Sequence, residues 1–277
     1  MSIATIDFPM HQDYNETTMA SEVLKIAMGQ MRVDGGLPED NLNGAAFMIM
    51  AAAQEHCQAI VLPECLDLGW THDSALKLAQ PVPGPHSDRL AHLAREHGIH
   101  IVVGLVEREG DDLYNSAILI DDQGDILLKH RKINELDFAQ ELYCTGTTLN
   151  CVDTILGRVA IPICADNLAE AQHIGDTLGL MGVDLILSPC AWAVPPKYNQ
   201  KKKPYGQEWI KPYTRLAKKY GMAVIGVSNV GTLETGDWAG WNCIGCSLAV
   251  GRNGKILEHA PYGEEAEGMF IVTLSLA

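Results

Sequence analysis

Short, unbroken apolar runs bounded by turn residues recur along this chain, and they constrain its fold more than any other feature. Ala59-Ile-Val-Leu-Pro63 has the length and continuity of a strand covered on both faces, and Asp184-Leu-Ile-Leu-Ser188 repeats the pattern. Between such runs lie longer stretches with helical character. Strands are predicted near 24–31, 59–63, 99–107, 114–121, 125–131, 149–154, 158–164, 184–188, 222–228, 244–250, 255–259 and 269–274. Helices are predicted at 39–56, 84–97, 167–181 and 204–220. Two rounds of strand and helix, with hairpins between and after them, predict an α/β fold. Two mixed β-sheets packed face to face and flanked by helices make a four-layer α-β-β-α sandwich.

At 277 residues, 47% hydrophobic and 20% charged, the chain has ample material for one large core. Residues 1–22 are polar and without period and are read as an N-terminal arm, leaving 23–277 as a single domain. Twenty Lys+Arg against 35 Asp+Glu give a net charge of -15, which repels phosphate backbones and anionic lipid heads, so neither nucleic acid nor a membrane is expected as a partner. The first thirty residues carry acids where a signal peptide needs an apolar stretch, and the expected location is cytoplasmic. Eight cysteines are then read as free thiols. Cys243-Ile-Gly-Cys246 has metal-pair spacing but no second pair, and His92 and His97 fall about 140° apart on a helix. No metal or organic cofactor is expected.

Chemistry in α/β sheets gathers where strands end and loops leave the core. Glu64 follows Ile60-Val-Leu-Pro63, Lys132 follows Ile126-Leu-Leu-Lys-His-Arg131, and Cys164 follows Val159-Ala-Ile-Pro-Ile163. A carboxylate can take a thiol's proton and return it to a leaving amine, while an ammonium can hold a tetrahedral oxyanion and lower the thiol's pKa. Together the three side chains suit acyl transfer through a cysteine.

Leu62-Pro63-Glu64, His130-Arg131-Lys132 and Gly157-Arg-Val-Ala-Ile-Pro-Ile-Cys164-Ala-Asp166 resemble, in order and spacing, the three signature regions of the nitrilase superfamily of carbon-nitrogen hydrolases. Leu187-Ser188-Pro189, Val227-Ser228-Asn229 and Gly245-Cys-Ser247 extend the resemblance over residues 24–274. It implies Cys164 as nucleophile, Glu64 as base and then acid, and Lys132 as oxyanion holder. A second glutamate is implied after the lysine, with Glu141 in the matching stretch and Glu135 nearer. The resemblance also implies a homodimer or larger assembly, to which the apolar strand Phe270–Leu274 is offered either as interface or as core.

The chain departs from the family pattern after the cysteine, where Ala165 replaces an aromatic residue and Asn167-Leu168-Ala169-Glu170 replaces an aromatic-Pro-Glu. Ala165-Asp166 favours cleavage of amides over nitriles and places substrate preference in Ala165, Asp166 and Asn167. Trp192 is offered as a pocket wall or a packing residue. The expected activity is hydrolysis of a small non-peptide amide or N-carbamoyl compound through a thioester, releasing ammonia or an amine. Acyl transfer to an acceptor other than water and a catalytically silent binding protein are the alternatives.

Overall fold

The structure, a computed structural model, describes residues 23–275; the arm read at 1–22 lies outside the described residues. Its first sheet contains β1 (Val23–Gln30), β2 (Ala59–Val61), β3 (His100–Glu109), β4 (Asp112–Ile120) and β5 (Ile126–Arg131). The second contains β6 (Val152–Thr154), β7 (Gly157–Ala160) and β8 (Leu185–Cys190). A two-residue strand, β9 (Ala193–Val194), precedes β10 (Ala223–Ser228), which returns to the second sheet. Then come β11 (Val230–Thr232) and β12 (Asn242–Ile244), which join β9 in a small third sheet. The second sheet is completed by β13 (Leu248–Val250) and β14 (Ile256–His259), and β15 (Gly268–Ser275) closes the first beside β1.

The two six-stranded sheets run β15-β1-β2-β3-β4-β5 and β14-β13-β10-β8-β7-β6. Both have parallel strands at the centre (β1, β2, β3 and β7, β8, β10) and antiparallel strands towards the edges. Residue parity assigns the faces of the first sheet. Leu24, Ile26, Met28, Ala59, Val61, Val102, Ala117 and Leu119 enter the core shared with the second sheet. Their sequence neighbours Ala27, Ile60, Ile101, Val103, Ile118 and Ile120 pack with α1 (Pro38–Gln54) and, beyond the short α2 (Ala75–Leu78), with α3 (Pro85–His97). A period of two applied to strands covered on both faces produces this division. Helices α4 (Gln172–Leu180) and α5 (Gln207–Tyr220) cover the second sheet through Ile174, Leu178, Trp209, Tyr213 and Leu216. The four-layer sandwich follows.

Strand direction places the chemistry. Because β5 lies two antiparallel steps from β3, it runs the same way as β2 and β3, and Lys132 emerges at the same edge of the first sheet as Glu64. Two expectations need correction. The strand leading to Cys164 ends at Ala160, so the cysteine sits in a separate 3-10 turn, Cys164–Asn167. The third sheet was not anticipated. Phe270 to Leu274 lies in β15, paired with β1.

Candidate active site

Glu64 follows Leu62-Pro63 and is almost completely buried. Its N–H donates to the Cys190 carbonyl (3.2 Å) at the end of β8, which ties the end of β2 to the other sheet. Gly104 of β3 allows this approach, because a Cβ there would stand 2.5 Å from the Glu64 Cα. On the side chain, Glu64 Oε1 accepts from Asn115 Nδ2 and Lys132 Nζ, each at 2.6 Å.

Lys132 is equally buried, and its backbone is clamped by Lys132 N–H to the Asn115 carbonyl and by Gly146 N–H to its own carbonyl. Burial alone favours the neutral amine. Glu135 and Glu64 outweigh it and hold the lysine pKa well above its ordinary value, so the side chain is an ammonium. Glu135 Oε2 lies 3.4 Å from Nζ, and neither Glu135 oxygen has a hydrogen-bond partner among the described residues. Burial pushes the Glu135 carboxyl up to about 7, against the pull of Lys132. Glu141, the residue matched to the second glutamate by sequence, is exposed at the end of the 3-10 turn Asp137–Glu141. The structure therefore puts Glu135 beside the lysine and Glu141 in solvent, a correction that only the path of an irregular segment could supply.

Cys164 has a φ of +40°, a left-handed conformation rare outside glycine that costs on the order of 1–3 kcal/mol. The surrounding bonds overdetermine it. Cys164 N–H donates to Ser188 Oγ (3.2 Å), Asn167 Nδ2 donates to the same oxygen (3.0 Å), and Asn134 Nδ2 donates to the Ala165 carbonyl (2.7 Å).

Asp166 carries most of this load and is not among the residues that line the cavity. Its Oδ1 accepts from the N–H groups of Ile133 (3.1 Å) and Asn134 (2.7 Å), and its Oδ2 from Ile163 N–H (2.9 Å) and His130 Nε2 (2.8 Å). Burial pushes this carboxyl up, but those bonds win and hold it below the usual carboxylate range. The expectation that Asp166 binds substrate is corrected: it fastens the loop after Lys132 to the turn bearing Cys164. Asn167 is buried as well: its Nδ2 reaches out of the turn to Ser188 Oγ, and its Oδ1 has no partner among the described residues.

Glu64, Lys132 and Cys164 line one cavity of ≈ 330 Å³ with Ala165 and Trp192, while Glu135 stands behind Lys132. The walls are two aromatic groups. Trp70, Phe138 and Trp238 meet at 5.2–5.6 Å between ring centroids, with Trp241 stacked on Trp238 at 4.2 Å. On the other group, Trp192 stacks on Trp209 at 4.8 Å, and Trp209 Nε1 donates to the Tyr205 hydroxyl at 2.9 Å. Four of the chain's five tryptophans line the cavity and the fifth backs one of them. Sequence reading singled out Trp192 alone, because residues 70, 209 and 238 belong to unconnected segments.

The thiol differs from expectation too. Burial pushes the Cys164 pKa well above that of a free cysteine; Cys190 and Glu64 add to the rise and Lys132 opposes it only in part. At neutral pH the resting group is the thiol. Among the described residues no cluster of three or more His, Cys, Asp or Glu side chains could hold a metal. Cys243 is buried, and Cys246 Sγ instead meets His259 Nε2 at 3.0 Å. No helix of the described residues is long and apolar enough to cross a membrane.

A sandwich of two mixed sheets with glutamate, lysine and cysteine converging at strand ends is the architecture of the nitrilase superfamily. The family model for carbon-nitrogen hydrolases matches residues 25–277, and the chain belongs to that family. It is 29% identical over 260 residues to a protein named nitrilase from Pyrococcus abyssi, covering 92% of this chain and 91% of that one. An omega-amidase from Xenopus tropicalis is 31% identical over 163 residues, 55% of this chain and 58% of that one. Among solved structures, a carbon-nitrogen hydrolase from Helicobacter pylori G27 superposes with a TM-score of 0.80 at 18% identity, covering 92% and 90% of the two chains. A mutant amidase from Nesterenkonia sp. AN1 reaches 0.77 at 19% identity over 91% and 90%, and carries the acetamide moiety of fluoroacetamide on its active-site cysteine. The family is one of carbon-nitrogen hydrolases, and the solved neighbours share its fold.

Proposed function

We propose that the protein hydrolyses a small non-peptide amide or N-carbamoyl compound through a thioester on Cys164. The observation that carries this reading is the convergence of Glu64, Lys132 and Cys164 on one cavity. Because the resting thiol is protonated, the reaction needs a base at the moment of attack, and Glu64 fills that role. The sulfur adds to the amide carbonyl as its proton passes to Glu64. Lys132 Nζ and the Ala165 N–H stabilise the oxyanion. Collapse of the tetrahedral intermediate breaks the C–N bond, and Glu64 gives its proton to the departing ammonia or amine. Water then enters, loses a proton to Glu64 and attacks the thioester, regenerating the thiol and releasing the acid.

The ion pair between Lys132 and Glu64 serves both halves of the cycle. It holds the Glu64 carboxylate beside the thiol and keeps the lysine charged in a site where burial alone would discharge it. Glu135 holds the opposite side of the ammonium. Supporting the amide class, the Nesterenkonia amidase takes a covalent acetamide adduct on its active-site cysteine. The test is ammonia release from aliphatic amides by the wild type and by Cys164→Ala. The variant should fall to background; undiminished release would end the proposal. Without an added acceptor the product should be the free acid; hydroxylamine added during turnover should divert part of the acyl group to a hydroxamate, and acyl appearing on a physiological amine or alcohol in preference to water would move the reading to acyl transfer.

A further inference from the structure

The departure from the family pattern at Ala165-Asp166-Asn167 suggested that substrate preference resides there, but Asp166 and Asn167 are spent on internal bonds. Of the three only Ala165 lines the cavity, and the rest of the wall carries the charge information. Of the charged groups lining it, Glu64 and Lys132 neutralise one another, and the third is Glu208 in the first turn of α5. Its Oε2 accepts from Gly206 N–H at 3.2 Å, which holds the carboxylate at the start of the helix beside Trp209 and Tyr205, and no Lys or Arg of the described residues pairs with it. No arginine, and no lysine other than Lys132, lines the cavity among the described residues. A substrate carboxylate would thus meet aromatic faces and a like charge.

Resting on the amidase reading above, we propose that the preferred substrate is a short amide whose acyl chain ends in an ammonium group. The amide sits at Cys164 and the ammonium at the cavity rim, over the Trp209 and Tyr205 rings and against Glu208. Tryptophan faces attract cations through the ring quadrupole, and a carboxylate alongside adds ion pairing. The size agrees: ≈ 330 Å³ is at the small end of ligand cavities and admits a chain of a few carbons. A net charge of -15 on the whole chain favours approach of a cation further.

A matched trio tests this: 5-aminopentanamide, pentanamide and the monoamide of glutaric acid, which share a five-carbon amide chain and carry a cationic, a neutral and an anionic distal end. In the wild type, kcat/KM from ammonia release should favour the cationic amide over the neutral one by about 3- to 10-fold, with the anionic amide last. Glu208→Gln should bring the cation-to-neutral ratio close to one, and Glu208→Lys should put the anionic amide first. The same order should appear as dissociation constants in Cys164→Ala, read by quenching of tryptophan fluorescence, since four of the five tryptophans line the cavity. A preference for the anionic amide, or a cation-to-neutral ratio that Glu208→Gln leaves intact, overturns the proposal. If the wild type turns over none of the three, the amidase reading fails, while the binding order in Cys164→Ala still decides the charge preference.

Discussion

One strand supports two ion clusters of opposite character. From β5, Lys129 and Arg131 project to one face and meet Glu107, while His130 and Lys132 project to the other and meet Asp166 and Glu64. Glu107 is saturated: Ser116 and Lys129 donate to it, and Arg131 does so twice, at 2.9 and 2.7 Å. Burial would raise its pKa, but those bonds outweigh it and the carboxyl ends below its ordinary value. Glu135, behind Lys132, has no hydrogen bond to its oxygens among the described residues, and burial pushes it up to about 7. Glu107 is thus fully bonded within its cluster, whereas Glu135 beside Lys132 is buried with no hydrogen bond to its oxygens.

The largest break in this comparison comes from removing the shared cation of the second cluster. Lys132→Met leaves Glu64 and Glu135 facing each other without a counter-ion, which should cost about 3–5 kcal/mol in urea unfolding. It should also lower kcat for amide hydrolysis by at least about 10³ through loss of the oxyanion donor. A variant that keeps activity within tenfold would remove Lys132 from the mechanism.

Glu135→Gln probes the sign. A carboxyl raised from 4.5 to about 7 opposes folding above pH 7, and the opposition fades as pH falls from 7 to 4.5, where folded and unfolded chains both bind the proton. The variant should accordingly be more stable than wild type above pH 7, by on the order of 3 kcal/mol, with the difference vanishing near pH 4. Its kcat should fall as Lys132 loses its second anchor. Equal stability at pH 8 would show that Glu135 is ordinarily ionised.

Asp166→Asn tests positioning. It removes the charge and turns one of the two accepting oxygens, which bond Ile133 and Asn134 or Ile163 and His130, into a donor, so kcat should drop about 10- to 100-fold while KM for a simple amide changes little. A pure KM effect would instead restore Asp166 as a substrate contact. The smallest effect is expected at the saturated cluster. Glu107→Ala should cost about 2 kcal/mol near neutral pH with kcat close to wild type. Because that pKa is depressed, the wild type's advantage is present above the ordinary carboxylate range and is lost as pH falls through the folded value. The two clusters therefore have opposite pH signatures.

How much of this was legible in the sequence depended on whether a local pattern encoded it. Runs such as Ala59–Pro63 and Asp184–Ser188 announced the central strands because burial on both faces leaves no alternation to misread. Strands β9, β11 and β12, two or three residues each, have no period and were missed or misplaced. Glu64, Lys132 and Cys164 were readable because each closes an apolar run. The choice between Glu135 and Glu141 was not, since residues 132–148 lack any period that would say which side chain turns inward. Asp166 was assigned to substrate because its main partner, His130, lies 36 residues away, and no local signal pairs them.

On the proposed mechanism, a buried Cys164 thiol is activated at the moment of attack by Glu64 and becomes acylated. Acid quenching of the wild type during turnover of an aliphatic amide, followed by peptide mass analysis, tests it most directly. The acyl mass should appear on the Cys164 peptide in the wild type, be sharply reduced in Glu64→Gln and be absent in Cys164→Ala. Steady ammonia release by Cys164→Ala, or an acyl group found on another cysteine, would contradict it.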